Sequence, residues 1–416
     1  MKVLWFSNCV LSKDASRGSG SWLFAMRDLI AKDIELINIA EDSVSCISAH
    51  EGNKMREYLI PQWRLHKGIP SDEKIQKIIE IVKSEKPDLI HIWGVEKYWA
   101  LLFSRGYIKS ERVLLEIQGV LSACTDVFWG GLTPKESKGL VSFRAALYPP
   151  SKLSNIYRSF KRNSIYEEEI IRYFDNIAVQ SKWTREQLSS ICGQKTNFFY
   201  SLRPIRQEFY KARKWIKPNN SNPVIFCTIS YYTPFKGFHF LLRALHVLVQ
   251  RNNNIALRVA GFDLSNRPFY VKSDYERFIL KEITRLGLQK NIHFCGPLKA
   301  PQLVEEILKA DVIVNPSLVE SFSAAAAEAL YLGAPVVLAY AGAMVNFSED
   351  KEVALYYNPM DYRSLASKIT ILIQDEISRN RLSLNAVEIL NQICSPLHVK
   401  ERQLEIYRAL TVGKET

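Results

Sequence analysis

Short apolar segments separated by helical spacing run from one end of this chain to the other, and that alternation restricts the fold more than any other feature. In the first half, residues 3–7, 88–92, 113–117 and 175–180 are compact runs rich in β-branched and aromatic side chains, the signature of buried strands. A Pro/Asn cluster at 217–223 then interrupts the pattern with no apolar period of its own, which marks a linker. Strands resume at 224–229, 256–261, 292–295, 312–315 and 335–339. Helices are expected after Lys236-Gly237, over 275–286 and 302–309, and from near Ser323. Parallel strands need a crossover between them, so strands alternating with helices imply parallel sheets covered on both faces. A chain of 416 residues exceeds what one ordinary core holds. The expectation is therefore an α/β protein of two Rossmann-like, doubly wound domains facing a cleft. They span 1–203 and 204–385, with a C-terminal helix, 386–416, packing back on the first. In open sheets of this kind ligands bind beyond the carboxyl ends of strands, so candidate site residues are those that follow strands.

Composition narrows the setting. Hydrophobic content of 47% and charged content of 24% are those of a globular, water-soluble chain, and no apolar run approaches the roughly 18 residues that span a bilayer. The opening Met1–Asn8 carries one positive charge and an apolar stretch too short for a signal peptide, so it reads as a first strand. Seven cysteines stand far apart with no C-x-x-C pair, against a disulfide framework or a zinc site and in favour of a reducing cytoplasm. The net charge of +12 is concentrated: residues 151–220 hold fourteen Lys and Arg against six acids. No nucleic-acid-binding motif accompanies that excess. An anionic membrane surface or a phosphorylated lipid carrier remains a partner for it, and a solvated face is the plainer alternative.

The richest local pattern is Pro316-Ser-Leu-Val-Glu320-Ser-Phe-Ser-Ala-Ala-Ala-Ala-Glu328-Ala-Leu-Tyr-Leu-Gly333-Ala-Pro-Val-Val337. Glu320 ends a loop after a strand, and Ser321 or Ser323 can cap the helix that follows. Glu328 sits about a turn and a half into that helix. Its N-terminus offers unpaired N–H groups and the positive end of a dipole, which suits a diphosphate. A carboxylate on each side of that point suits a sugar hydroxyl pair and a ribose diol.

The pair Glu320 and Glu328, with seven residues between them, closely resembles the E-x7-E motif of the retaining glycosyltransferases of family 4. Those are enzymes of GT-B architecture. The resemblance extends over 224–375 and includes Arg258-Val-Ala-Gly261, Ile292-His-Phe-Cys-Gly296, Ala310-Asp-Val-Ile-Val314 and the P-x-K-G segment Pro234-Phe-Lys236-Gly237. It implies a transferase that moves a sugar from a nucleotide-diphosphate sugar to a saccharide or lipid-linked acceptor in polysaccharide or glycolipid assembly. By the same resemblance Glu320 holds donor-sugar hydroxyls, Glu328 holds the ribose, and Lys236 binds the diphosphate and stabilises its departure. The backbone N–H groups of Phe322, Ser323 and Ala324 complete the anion site, and neither metal nor cofactor is required. The absence of an Asp-x-Asp motif in the sequence agrees with that.

Four positions depart from the family pattern. Tyr231 stands where an Arg is usual, Ser321 and Ser323 replace glycines, and Gln118-Gly119 replaces His-Gly. In the N-terminal half, Gly18 and Gly20 lie in a loop too far from the first strand for a dinucleotide fingerprint, and become donor-side candidates through the resemblance. His91, Trp93 and Glu96 follow the strand at 88–92, where acceptor contacts can form, although a buried histidine is the commoner case. Trp129-Gly130-Gly131 offers aromatics that stack on sugars or simply pack. A nucleotide-sugar epimerase, or a homologue that binds without turnover, are the rival readings.

Overall fold

A computed structural model describes residues 1–12, 21–52, 55–133, 136, 152–229, 233–261, 264, 272–347 and 352–411. The chain forms two compact units, each with its own sheet.

The first unit contains residues 1–121, 162–204 and 393–416. Its strands are β1 (Lys2–Ser7), β2 (Glu35–Asp42), β3 (Ser48–Gly52), β4 (Met55–Pro61), β5 (Leu89–Trp93), β6 (Val113–Glu116), β7 (Asn176–Val179) and β8 (Asn197–Tyr200), ordered β3-β4-β2-β1-β5-β6-β7-β8. β1 and β5 are buried along nearly their whole length, as strands covered on both faces must be. Every pairing is parallel except β3 with β4. Only Asn53 and Lys54 separate those two strands, far too few residues for a crossover, so the all-parallel expectation fails at this edge.

The second unit contains 122–161 and 205–392. Its strands are β9 (Val224–Ile229), β10 (Ala256–Gly261), β11 (Ile292–Gly296), β12 (Val312–Asn315), β13 (Val336–Ala339) and β14 (Leu355–Tyr357), ordered β11-β10-β9-β12-β13-β14 and paired in parallel throughout. The helix Phe238–Val249 is apolar nearly all round, buries Phe238, Phe240, Leu241, Leu242 and Leu245, and packs against the helix Tyr362–Gln374. The helix Asp274–Arg285 opens with a capping box: Ser273 Oγ accepts from the Glu276 N–H, and the Ser273 N–H donates back to Glu276.

The division differs from the expected 1–203 and 204–385 in two places, at residues 122–161 and in the C-terminal stretch. Residues 122–161 belong with the second unit, because the Phe128 ring clusters with Tyr157, Phe160 and Phe235. The stretch 205–216, inside the expected second domain, also lies in that unit, ahead of the Pro/Asn cluster. Phe209 is fully buried there, and Trp215 donates from its backbone to Leu332 O at 2.6 Å and from Nε1 to Ala310 O at 2.9 Å. Finally, the C-terminal stretch is two helices. Glu376–Ile393 stays with the second unit, burying Leu382, Ala386 and Leu390. Pro396–Thr411, opened by a proline where the missing N–H costs nothing, buries Val399, Leu404, Ile406 and Tyr407 in the first. No helix among the described residues is long and apolar enough to cross a membrane.

Candidate active site

The second sheet reverses its strand order once, between β9 and β12, and such a reversal opens a crevice at the carboxyl ends of the two strands. The chain leaving β9 arrives at the short 3₁₀ turn Pro234–Lys236, and the chain leaving β12 runs through Glu320 to the helix Ala324–Tyr331. There Lys236 Nζ lies 2.7 Å from Glu320 Oε1, with both side chains about one-fifth exposed.

The loops are locked together by backbone. Leu318 N–H donates to Phe235 O at 2.8 Å, and Ala343 N–H to Glu320 O at 2.7 Å. Gly237 has φ +69°, and a Cβ there would stand 2.0 Å from Pro316 O. Only glycine therefore lets the turn carrying Lys236 lie against the loop carrying Glu320. Gly342, at φ +57°, plays the same part beneath Glu320, where a Cβ would meet its backbone O at 2.5 Å.

Ser323, not Ser321, is the N-cap. Its Oγ accepts from Ala326 N–H at 3.3 Å and from Asn315 Nδ2 at 2.7 Å. The helix therefore begins at Ala324 as expected, and the N–H groups of Phe322, Ser323 and Ala324 lie at its first turn. Phe322 is half-buried beside Phe347, its ring centroid 6.0 Å away.

Glu328 is buried rather than facing solvent, and Arg206 holds it from Nε to Oε1 at 2.7 Å and from Nη2 to Oε2 at 2.5 Å. Burial works against the Arg206 charge, but the hydrogen bonds and charge of Glu328 outweigh it and raise the arginine's pKa. Sequence reasoning missed Arg206. It lies 122 residues from its partner, and its only local signal is a basic residue just past a strand.

A second support stands behind the Lys236 turn. Gly130, at φ +56°, abuts Pro234 so closely that a Cβ would be 2.3 Å from its carbonyl oxygen. His239 Nε2–H donates to Gly130 O at 3.0 Å, and the Tyr275 hydroxyl donates to Nδ1 at 2.6 Å. Burial first, then Arg243, pushes the His239 pKa down to about 3, so the ring is neutral and acts as a brace. Trp129 packs on Phe128 and Tyr157, which settles the Trp129-Gly130-Gly131 segment as scaffold for this turn.

Two acceptor-side candidates are not surface groups at all. His91 and Trp93, two residues apart on β5, face the same side and are 0% and 1% exposed. Their rings lie 3.8 Å apart, His91 Nδ1 meets the Tyr407 hydroxyl at 2.8 Å, and Trp93 packs edge-on against Trp5 and Trp22. Burial lowers the His91 pKa. The aromatic rings that enclose this pair come from segments remote in sequence, which is why the strand end read as open. Gln118 is half-buried beyond β6. Glu96 is half-buried and takes a hydrogen bond from Asn8 Nδ2 at 3.2 Å. Gly18, Gly20 and Tyr231 lie outside the described residues.

The basic stretch 151–220 is partly spent inside the protein. Arg206 pairs with Glu328 and Lys214 donates to Tyr331 O, whereas Arg172 pairs with Glu168 at the surface. Arg203, 6% exposed, lies over the Trp22 ring at 4.2 Å.

Residues 210–388 match the family model described as glycosyl transferases group 1. A D-inositol 3-phosphate glycosyltransferase of Corynebacterium efficiens is 32% identical over 155 residues, 37% of this chain and 36% of that protein, so the match spans about a third of the relative's length. An uncharacterized glycosyltransferase of Methanocaldococcus jannaschii is 21% identical over 338 residues, 81% of this chain and 79% of that one. Among solved structures, sucrose-phosphate synthase from Thermosynechococcus elongatus superposes with a TM-score of 0.71 at 17% identity, covering 98% of both chains. Anabaena HepE, solved in complex with UDP-glucose, gives 0.66 at 16% identity, covering 98% of this chain and all of the other. The fold is accordingly an α/β fold with two parallel-sheet domains, that of the GT-B glycosyltransferases.

Proposed function

We propose that this protein is a retaining glycosyltransferase of family 4, transferring a sugar from a nucleotide-diphosphate sugar to a saccharide or lipid-linked acceptor. The observation that carries the reading is the 2.7 Å pair of Lys236 and Glu320 at the β9/β12 reversal, set beside the N-terminus of the helix Ala324–Tyr331. A cation next to a helix N-terminus receives a diphosphate, and a carboxylate within reach of the same point receives sugar hydroxyls. In the transfer, the bond from the anomeric carbon to the diphosphate oxygen breaks and its electron pair leaves with the diphosphate. The acceptor oxygen bonds to the same face of the anomeric carbon, and its proton passes to the departing phosphate oxygen. Lys236 and the helix N-terminus stabilise the charge that develops, a role that prepositioned donors perform without reorganisation. Support also comes from the group 1 match, which contains Lys236, Glu320 and Glu328, and from the UDP-glucose complex of the similarly folded HepE.

Polysaccharide or glycolipid assembly, independence from metal, and peripheral contact with an anionic membrane through the basic stretch complete the proposal. The test is a panel of UDP- and GDP-sugars, with nucleotide release measured with and without acceptor and with EDTA, and the product anomer assigned by NMR. Release that needs an acceptor, survives EDTA and retains configuration supports the reading. Sugar interconversion without acceptor points to an epimerase, and binding without release to an inactive homologue.

A further inference from the structure

A turn and a helix of the first unit share a surface outside the donor site. The turn follows β4, which runs parallel to β2 as β2 does to β1. It therefore leaves the sheet at the carboxyl edge, where ligands of such sheets bind. His66 N–H donates to Ile69 O at 2.8 Å, and Ile69 N–H donates back to His66 O at 3.2 Å. Lys67 and Gly68 between them have φ angles of 48° and 89°, the left-handed pair that a tight two-residue turn demands. A Cβ at Gly68 would stand 2.8 Å from Tyr166 Cε2, and Arg105 Nη1 donates to Lys67 O at 2.6 Å. The turn is thereby locked against the helix Leu153–Tyr173. On that helix Arg162 lies three and four residues before Ile165 and Tyr166, so it neighbours both.

The surface so assembled is apolar and cationic at once. Leu65 is 44% exposed and Ile165 63%. Single exposed aliphatic side chains are ordinary, but these two stand among Arg64, Lys67 and Arg162, all exposed. None of those three cations has an acidic partner among the described residues, whereas Arg105 is paired with Glu169 and Arg172 with Glu168. A merely solvated face intersperses both signs. Uncompensated cations around aliphatic tips instead complement a surface that is anionic outside and apolar beneath, which is a bilayer with acidic headgroups. Because the turn is already ordered, docking there immobilises little.

Deepening the reading of a lipid-linked acceptor above, we infer that this face is where the protein docks on an anionic bilayer: Arg64, Lys67 and Arg162 meet the headgroups, and Leu65 and Ile165 enter the boundary beneath them. Of the three cations only Arg162 lies in the basic stretch 151–220, so the contact is a face built from two segments rather than a charge excess along one.

The experiment is co-sedimentation of the full chain with vesicles of phosphatidylcholine alone and of phosphatidylcholine mixed with phosphatidylserine, at rising salt, with melting temperatures as the check on folding. Each cation near an anionic surface contributes about fivefold, so the combined variant Arg64→Glu, Lys67→Glu, Arg162→Glu should bind mixed vesicles at least about 100-fold more weakly. Should that reversal not fold, the same three positions changed to Gln give the test. Leu65→Ser with Ile165→Ser should lose about tenfold. Lys211→Glu, Arg213→Glu, Lys217→Glu makes the same charge change at exposed residues of the second unit, and should stay within about threefold of wild type because the charges act within a Debye length. Equal losses in the two charge variants would overturn this inference and leave the basic stretch as the membrane contact. Wild-type binding by the Leu65/Ile165 variant would overturn it too, and no preference of the wild type for mixed vesicles would remove both readings. Vesicle binding is read without turnover, so none of these failures touches the donor reading.

Discussion

The parallel part of each sheet reverses its strand order once, and the two reversals have been given opposite chemistry. In the second unit, the residues beyond β9 and β12 are Lys236 and Glu320, a charge pair 2.7 Å apart beside a helix N-terminus. In the first unit, the residues beyond β1 and β5 are Asn8 and Glu96, an amide and a carboxyl joined at 3.2 Å. Gly94, at φ +95°, makes room for that carboxyl, since a Cβ there would meet Glu96 Oε2 at 2.0 Å. Burial raises the Glu96 pKa, and nearby Glu167 adds to the rise, against the pull of Arg203 and the Asn8 hydrogen bond. The helix after β5, Trp99–Ser104, is only six residues long and buried. One topology thus places an ion pair beside a helix N-terminus in one unit and a carboxyl whose burial opposes its charge in the other. Strand order fixes where a site lies, and the two or three residues after each strand fix what it can bind.

The largest expected effect separates the two carboxyls. Glu320→Gln should lower turnover about a thousandfold, roughly 4 kcal/mol, with the melting temperature kept, because its contacts strengthen in the transition state. Glu96→Gln should stay within about tenfold of wild type. Equal losses in the two variants would break the contrast.

Next in size is the cation. Lys236→Ala should reduce kcat/KM by at least about a hundredfold, roughly 2.7 kcal/mol, since the helix N-terminus contributes only about half a unit of charge. A variant within a few-fold of wild type would mean that another group carries the phosphate.

How far these sites were legible depended on sequence distance. Glu320 and the Ser323 cap follow a strand, so strand, loop and helix signals placed them without knowledge of the tertiary structure, while Lys236 was placed by the resemblance of its P-x-K-G segment. Arg206 could not be placed that way, because its partner Glu328 lies 122 residues on. His91 and Trp93 were misread for the same reason: the rings that bury them, Trp5, Trp22 and Tyr407, come from β1, the helix Ser21–Ile30 and the last helix. The fold itself showed in the strand runs. The strands β2, β3, β4, β8 and β14 were not anticipated, and of these β3 is almost wholly exposed, leaving no apolar pattern to find. That residues 122–161 cross to the second unit rests on ring contacts between Phe128 and Phe235, which no local signal encodes.

A third prediction concerns the brace behind Lys236. The folded His239 pKa, about 3, lies below the ordinary histidine value of 6.5. A depressed pKa contributes stability that is present above 6.5 and lost as pH falls toward 3, at up to about 1.4 kcal/mol per pH unit. Differential scanning calorimetry from pH 7 to 4 should show a falling Tm in the wild type and a flatter profile in His239→Gln. Arg243, Glu136 and Glu282 face the same ring and are present in both proteins, so they cancel in the comparison. Parallel profiles would mean that the ring protonates without cost.

The smallest effect tests the first-unit crevice directly, and its sign is opposite. The folded pKa of Glu96 is raised above the ordinary 4.5. A raised pKa contributes stability that is complete below 4.5 and lost as pH rises through the folded value. Replacing the carboxyl with an uncharged amide removes that loss. Glu96→Gln should therefore melt at nearly the wild-type temperature at pH 4–5 and above it at pH 8, by about 1–2 °C in a chain of this size. His91, whose pKa burial lowers, sits in the same unit but is present in both proteins and drops out of the difference. If Glu96→Gln instead melts below wild type at pH 8 and not at pH 5, the carboxylate is held as a stabilised charge. The first-unit crevice would then be charged like the second, and it would be suited to a cationic acceptor group rather than a hydroxyl.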